Sequence, residues 1–440
     1  MRRFIVLCAL SLISARPAQA FCGFFVGKAD TKLFNQSSQV AIVRDGDRTV
    51  LTMSADYQGE MKDFALVVPV PTVLQREQIH IGDKKLLDRL DQYSSPRLVE
   101  YSDEDPCELR RMAPMAAMNR DFVMMEKAAG AAPRASALGV KVEAEYTVGE
   151  YDIVLLSATE STGLETYLRQ SGYQIPDKAA AALAPYIKQQ MKFFVAKVNL
   201  KEQKKAGFQE LRPIQIAFES PRFMLPIRLG MANADGPQDL IVYAMTRNGR
   251  VESTNYQTVK MPADLEVPEF VQKDFGSFYK AAFAHAWKKQ DQRAILTEYV
   301  WNMGFCDPCA APPLEPGELQ GLGVFWLAGP NSYHGGGMPL TLTRLHVRYD
   351  SQHFPEDLAF QETGDQQTFQ GRYVLRHPFR GSLECPAGAQ YATDLNKRHQ
   401  DEAKTLASVT GWELASIKTR MGADAPKPPK PAPWWKKIWQ

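Results

Sequence analysis

Long apolar runs are scarce in this chain. Phe4–Ala15 falls short of the roughly 20 residues that a helix needs to cross a bilayer. Phe64–Leu74 is also short and is interrupted by Pro69 and Pro71. No transmembrane helix is expected after residue 20. An excess of one charge is missing too. Lys and Arg number 52 against 50 Asp and Glu, and no basic stripe gathers along the chain. Phosphate binding needs a concentrated positive face, so nucleic acid is not an expected partner. Neither a G-x-S-x-G elbow nor a Walker phosphate loop occurs. The most legible signatures of hydrolase and nucleotide chemistry are therefore lacking, and no cofactor is implied.

What is present begins with the first twenty residues. Arg2 and Arg3 precede the apolar run, Pro17 breaks it, and Ala18-Gln19-Ala20 offers a small-x-small cleavage site. This pattern reads as an export signal, with Phe21 the first mature residue. It places the protein in the periplasm or outside the cell. The bulk of Phe21 argues against acylation of Cys22. Cleavage leaves 440 − 20 = 420 residues, enough for two or three domains. It also removes Arg2, Arg3 and Arg16, leaving 52 − 3 = 49 basic against 50 acidic residues.

Export changes the reading of cysteine. Of the six cysteines, Cys8 leaves with the signal, and Cys22, Cys107, Cys306, Cys309 and Cys385 remain. In an oxidising compartment these are disulfide candidates. The remaining number is odd, so one thiol stays free, ligated or paired to another chain.

Several divisions follow from composition. Residues 21–102 read as a β-rich domain, with strands at Val40–Val43 and Thr49–Thr52 around an Asp45-Gly46-Asp47 turn. Phe64–Val70 is continuously apolar, which predicts a strand buried on both faces. Leu86, Leu87, Leu90 and Tyr93 recur at helical spacing over Asp83–Tyr93. Residues 103–137 are rich in Ala, Met and Pro and read as a connector. Residues 138–292 read as an α+β domain. It contains an alternating strand over Val140–Val148, a Thr162–Glu165 capping box and a long helical pattern over Pro268–Lys289. Residues 293–420 form a C-terminal α+β region with strands at Ile295–Trp301, Thr341–Tyr349 and Tyr373–Arg376 and a helix at Ala392–Ala407. Residues 421–440 are a Lys/Pro linker and a Trp/Lys tail.

Cys306-Asp307-Pro308-Cys309 is the sharpest local motif. A reactive thiol is usually lowered in pKa by a helix N-terminus. Here Pro312, Pro313 and Pro316 follow, and Asp307 adds opposing charge. A stabilising disulfide is the better reading, with thiol–redox or metal chemistry the alternative. Met112, Met115 and Met118 are spaced as soft Cu(I) ligands are, although Pro114 interrupts any helix aligning them. His334, His346, His353, His377 and His399 crowd the last third without a local ligand pair. Acid pairs such as Glu356-Asp357 read as solvated. Trp434, Trp435, Lys436, Lys437 and Trp439 suit weak contact with an anionic membrane surface.

Seven segments together carry a family resemblance: Phe21–Phe24, Phe64–Pro71, Ser95–Tyr101, Tyr151–Ala158, Phe305–Cys309, Thr343–Asp350 and Phe369–Val374. The chain resembles the exported bacterial proteins of domain-of-unknown-function family 2330 over roughly residues 21–412. The resemblance implies membership and brings no assigned reaction or cofactor. The expected fold is α+β: a β-rich N-terminal part followed by mixed α/β segments, with antiparallel or mixed sheets. The expected role is a non-enzymatic binding or structural protein of the cell envelope, acting with an unknown envelope component.

Overall fold

A computed structural model describes residues 24–27, 34–58, 64–108, 140–170, 179–199, 211–233, 236–307, 311–327 and 339–422. The Asp45-Gly46 turn forms as its residue types demand, with Gly46 at φ +59°. It joins strands Phe34–Asp45 and Arg48–Gln58, which pair antiparallel. These two lie inside a nine-stranded mixed sheet. From one edge its order is Gln257–Lys260, Ala294–Asn302, Thr341–Tyr349, Gln238–Thr246, Phe34–Asp45, Arg48–Gln58, Ile214–Glu219 and Ile79–Ile81. Phe369–Gln370 adds to Ala294–Asn302. Gln238–Thr246 runs parallel to Phe34–Asp45, and most other pairs are antiparallel. The sheet thus draws strands from stretches of chain on both sides of residues 102 and 292.

A second, antiparallel sheet has the order Phe24–Gly27, Phe64–Val70, Lys192–Val198, Tyr151–Ala158 and Val140–Val148. It packs face to face on the large sheet. Val40, Ile42, Val242 and Leu345 of one meet Leu66, Val68, Ile153 and Phe194 of the other. The outer face of the second sheet, with Ala65, Val67 and Phe193, lies under helices Ser161–Gln170 and Ala179–Lys188. Phe64–Val70 is therefore buried on both faces, as its unbroken apolar run predicts.

The other face of the large sheet is covered by two helical groups. Helix Lys84–Ser94, capped by Asp83, contributes Leu87, Leu90 and Tyr93. Helix Phe275–Lys289 contributes Phe278, Phe283 and Trp287 and packs with helix Pro386–Thr410. Two three-stranded sheets complete the fold. One is Met224–Leu225, Leu358–Glu362 and Val251–Ser253. The other is Leu265–Val267, Arg372–His377 and Arg97–Ser102, all parallel.

Some sequence boundaries move. The pattern over Pro268–Lys289 divides into a 3₁₀ segment, Glu269–Asp274, and the helix that follows it. The helix expected at Ala392–Ala407 starts at Pro386, because proline suits a first turn whose N–H groups have no partner. The alternation in Val140–Val148 breaks at a bulge after Val142, which is 41% exposed. The helix expected to be capped by Thr162 already begins at Ser161. Among the described residues no helix is long and apolar enough to cross a membrane.

Candidate functional site

Three neighbouring strands of the large sheet carry charge on a face that is otherwise core. Register places Asp239 opposite Arg348 and Tyr243 opposite Arg344, with His346 between the two arginines. On the other side, pairing with Ala294–Asn302 slips between Thr297 and Tyr299. A bulge of this kind re-aims a side chain, and here Glu298 turns toward Arg344 and His346. Arg344 Nε donates to Glu298 Oε2 at 2.6 Å, and His346 Nδ1 lies 2.7 Å from Glu298 Oε1. The Tyr279 hydroxyl donates to the same oxygen.

The network extends both ways from Glu298. Arg344 donates to Asp91 at 2.7 Å, and the Tyr243 hydroxyl donates to that carboxylate at 2.8 Å. This ties helix Lys84–Ser94 to the sheet. On the other side His346 Nε2 lies 3.3 Å from Asp239, which Arg348 grips bidentately at 2.8 and 2.7 Å. Phe283 stacks on the His346 ring, with centroids 3.7 Å apart and planes 21° from parallel.

The electrostatics follow from this crowding. Burial disfavours the charged ring of His346, but Glu298 and Asp239 outweigh it and raise its pKa above the ordinary value. Both ring nitrogens face carboxylates, which suits the doubly protonated form. Burial likewise opposes ionisation of Glu298, yet His346 and Arg344 hold its carboxyl down at about 2. Asp239 is held well below its usual range by His346 and Arg348 despite its own burial. Three carboxylates, from Asp91, Asp239 and Glu298, thus face the cations of Arg344 and Arg348 and the His346 ring, whose protonation they favour. Glu298 is 1% exposed. The arrangement is a closed set of mutually satisfied charges, suited to fixing two helices and three strands in register.

The structure distributes the other sequence candidates widely. Cys107 and Cys385 form a disulfide, with Cα atoms 5.8 Å apart. Cys306 is exposed and carries a free thiol. Asp307 beside it is buried and accepts from the Tyr299 hydroxyl at 2.8 Å, which anchors that end of the motif to the sheet. Cys22, Cys309, Met112, Met115, Met118, His334 and the tail residues Trp434, Trp435, Lys436, Lys437 and Trp439 lie outside the described residues. His377 sits between Glu100 and Glu269 at 2.8 Å from each, and His353 lies against Asp350. Among the described residues no group of three or more His, Cys, Asp or Glu is placed to hold a metal ion.

Asp357 corrects the expectation of a solvated acid pair. It is 7% exposed and accepts from the Tyr186 hydroxyl at 2.5 Å and from the N–H groups of Ile227 and Arg228 at 2.9 and 3.2 Å. Two clefts open away from the Glu298 network, the second of them lined in part by Asp357. One of about 220 Å³ lies between His80, Gln215 and Phe325, and one of about 340 Å³ between Arg222, Asn255 and Phe360.

Sequence reasoning singled out His346 without fixing its face and passed over its partners. A signal for them existed: Arg344, His346 and Arg348 alternate within Thr341–Tyr349 and so share one side of a strand. The orientation of Glu298 had no such signal, since it depends on the bulge.

A family model described as an uncharacterized protein conserved in bacteria, domain-of-unknown-function family 2330, matches residues 16–361. The match stops short of the residue 412 that the resemblance suggests. No curated protein matches the chain, and no solved structure does.

Proposed function

The chain belongs to domain-of-unknown-function family 2330, uncharacterized proteins conserved in bacteria, and on that premise we propose that it is an exported cell-envelope protein with a binding or structural role. The observation that carries the non-enzymatic part is the closed state of the Glu298 network. Catalytic acids and bases keep a proton or lone pair available to a substrate. In this cluster Glu298, Arg344 and His346 are spent on one another and on Asp91 and Asp239. The tripartite segment over residues 1–20 supports export, and the Cys107–Cys385 bond suits an oxidising compartment. The test is cell fractionation with intact-mass measurement. The envelope fraction should yield a chain starting at Phe21. A cytoplasmic protein retaining Met1, or a lipid mass on Cys22, overturns the export reading.

One observation favours a second reading, thiol–redox or metal chemistry at Cys306-Asp307-Pro308-Cys309: Cys306 is exposed with a free thiol. Metal analysis of protein from the exported fraction, together with an insulin-reduction assay, tests it. Stoichiometric metal, or reductase activity lost in the Cys306→Ser, Cys309→Ser variant, would make this reading the leading one. The first reading expects neither.

A further inference from the structure

Thiols become reactive where a helix N-terminus favours the thiolate. That geometry is built at Cys385. Cys385 is the N-cap of the 25-residue helix Pro386–Thr410, and its Sγ accepts from the Gly388 N–H at 3.2 Å. Its bonded partner stands in a different setting. Cys107 is exposed on a turn, where its N–H donates to the Asp105 carboxylate at 2.8 Å. The two sulfurs of one disulfide therefore have unlike surroundings. Cys107 is an exposed residue whose Sγ lies 3.9 Å from the Ser382 carbonyl oxygen, and Cys385 Sγ is placed to carry negative charge.

We propose that Cys107–Cys385 is an exchange site for small-molecule thiols, polarised so that the incoming thiolate attacks Cys107 and Cys385 departs. The incoming electron pair forms a new S–S bond to Cys107 Sγ. The Cys107–Cys385 bond breaks, and its pair goes to Cys385 Sγ. One disulfide replaces another, with no net oxidation. A second small thiolate attacking its own kind in the mixed disulfide then releases Cys107. The balance is a two-electron reduction of the protein, with the small molecule leaving as its own disulfide. Exchange is fastest when the leaving sulfur has the lower pKa and the attacked sulfur is accessible.

The bond can open without dismantling the fold. Just before Cys107, Asp103 is gripped by Arg398 at 3.1 and 2.8 Å and by the Tyr391 hydroxyl at 2.6 Å. Strand Arg97–Ser102 remains paired to Arg372–His377. Opening therefore leaves Asp103 and the strand before it held in place. The nearby carboxylates of Glu384, Asp105 and Glu108 oppose a thiolate at Cys385. Glu384 and Glu108 are exposed, where solvent screens them.

The test uses the oxidised full chain and reduced glutathione at neutral pH without denaturant, followed by alkylation and peptide mass mapping. Glutathione should appear on Cys107 and the alkyl group on Cys385. Glutathione on Cys385, or a bond that opens only when denaturant unfolds the chain, overturns the proposal. In the Cys107→Ser variant, the pH dependence of Cys385 alkylation should have a midpoint at least about one unit below the ~8.5 of an ordinary thiol. A midpoint at or above that value also overturns it. Neither measurement depends on where the cell places the protein.

Discussion

Glu298 and His346 meet across a strand pair at 2.7 Å, and each favours the charged state of the other. The pH dependence of stability follows from the two directions of shift. The raised pKa of His346 means that its contribution is full below about 6.5 and is lost as pH rises through the folded value. The lowered pKa of Glu298 means that its contribution is full above its ordinary value and is lost as pH falls toward about 2. Arg344, Arg348, Asp91, Asp239 and Tyr279 all bear on the pair. Urea unfolding across pH should give greatest stability in the weakly acidic range. In His346→Gln the decline on the alkaline side should flatten. An unchanged alkaline limb would contradict the charged assignment of His346.

Removing one member of a buried ion pair leaves the other charge stranded, which typically costs about 3–5 kcal/mol. Glu298→Gln should destabilise the protein by about that much, since the charge between Arg344 and His346 is lost and an NH2 donor replaces one of the two acceptor oxygens they use. Equilibrium urea denaturation measures it. A loss under about 1 kcal/mol would mean that the pair behaves as a surface salt bridge.

Asp357 collects one hydroxyl and two backbone N–H donors in a buried position. Asp357→Ala orphans the hydroxyl of Tyr186, whose side chain is fully buried. A stranded buried polar group costs about 1–3 kcal/mol. Asp357→Ala should therefore lower the melting temperature clearly, and Tyr186→Phe with Asp357 intact should lower it less. Equal, negligible effects would show that the acid is not holding that loop.

Gly323 has φ +96°, and a Cβ added there would lie 2.4 Å from Val50 Cγ1. Gly323→Ala should cost more than about 1 kcal/mol, because it combines backbone strain with a core clash. Val50→Ala added to it should recover only part of the loss, since the backbone term and the contact with Val50 Cβ at 2.8 Å both remain. Full recovery in the double variant would remove the backbone contribution from the account.

The sequence made the elements more legible than their assembly. Phe64–Val70 and Thr341–Tyr349 are recognisable from short-range pattern, since burial on two faces and alternation each leave a local trace. The apolar stripe of Leu87, Leu90 and Tyr93 was readable for the same reason. What joins these elements is set by pairing between distant parts of the chain. No local period indicates that Val242 lies opposite Val40, or that a one-residue slip at Thr297 points Glu298 at Arg344. The same holds for Cys107 and Cys385. Five cysteines admit many pairings, and spacing does not choose among them.

The parallel pairing of Gln238–Thr246 with Phe34–Asp45 also fixes an order of events during synthesis. The N-terminal hairpin can close on itself early, but Val40 waits for Val242, which is 242 − 40 = 202 residues further along the chain. At about 5–20 residues per second, that wait is roughly 10–40 s. Throughout it, one side of Phe34–Asp45 offers unpaired N–H and C=O groups to any strand it meets. The yield of folded protein therefore depends on how well the nascent chain is kept apart from its neighbours until its own later strand arrives.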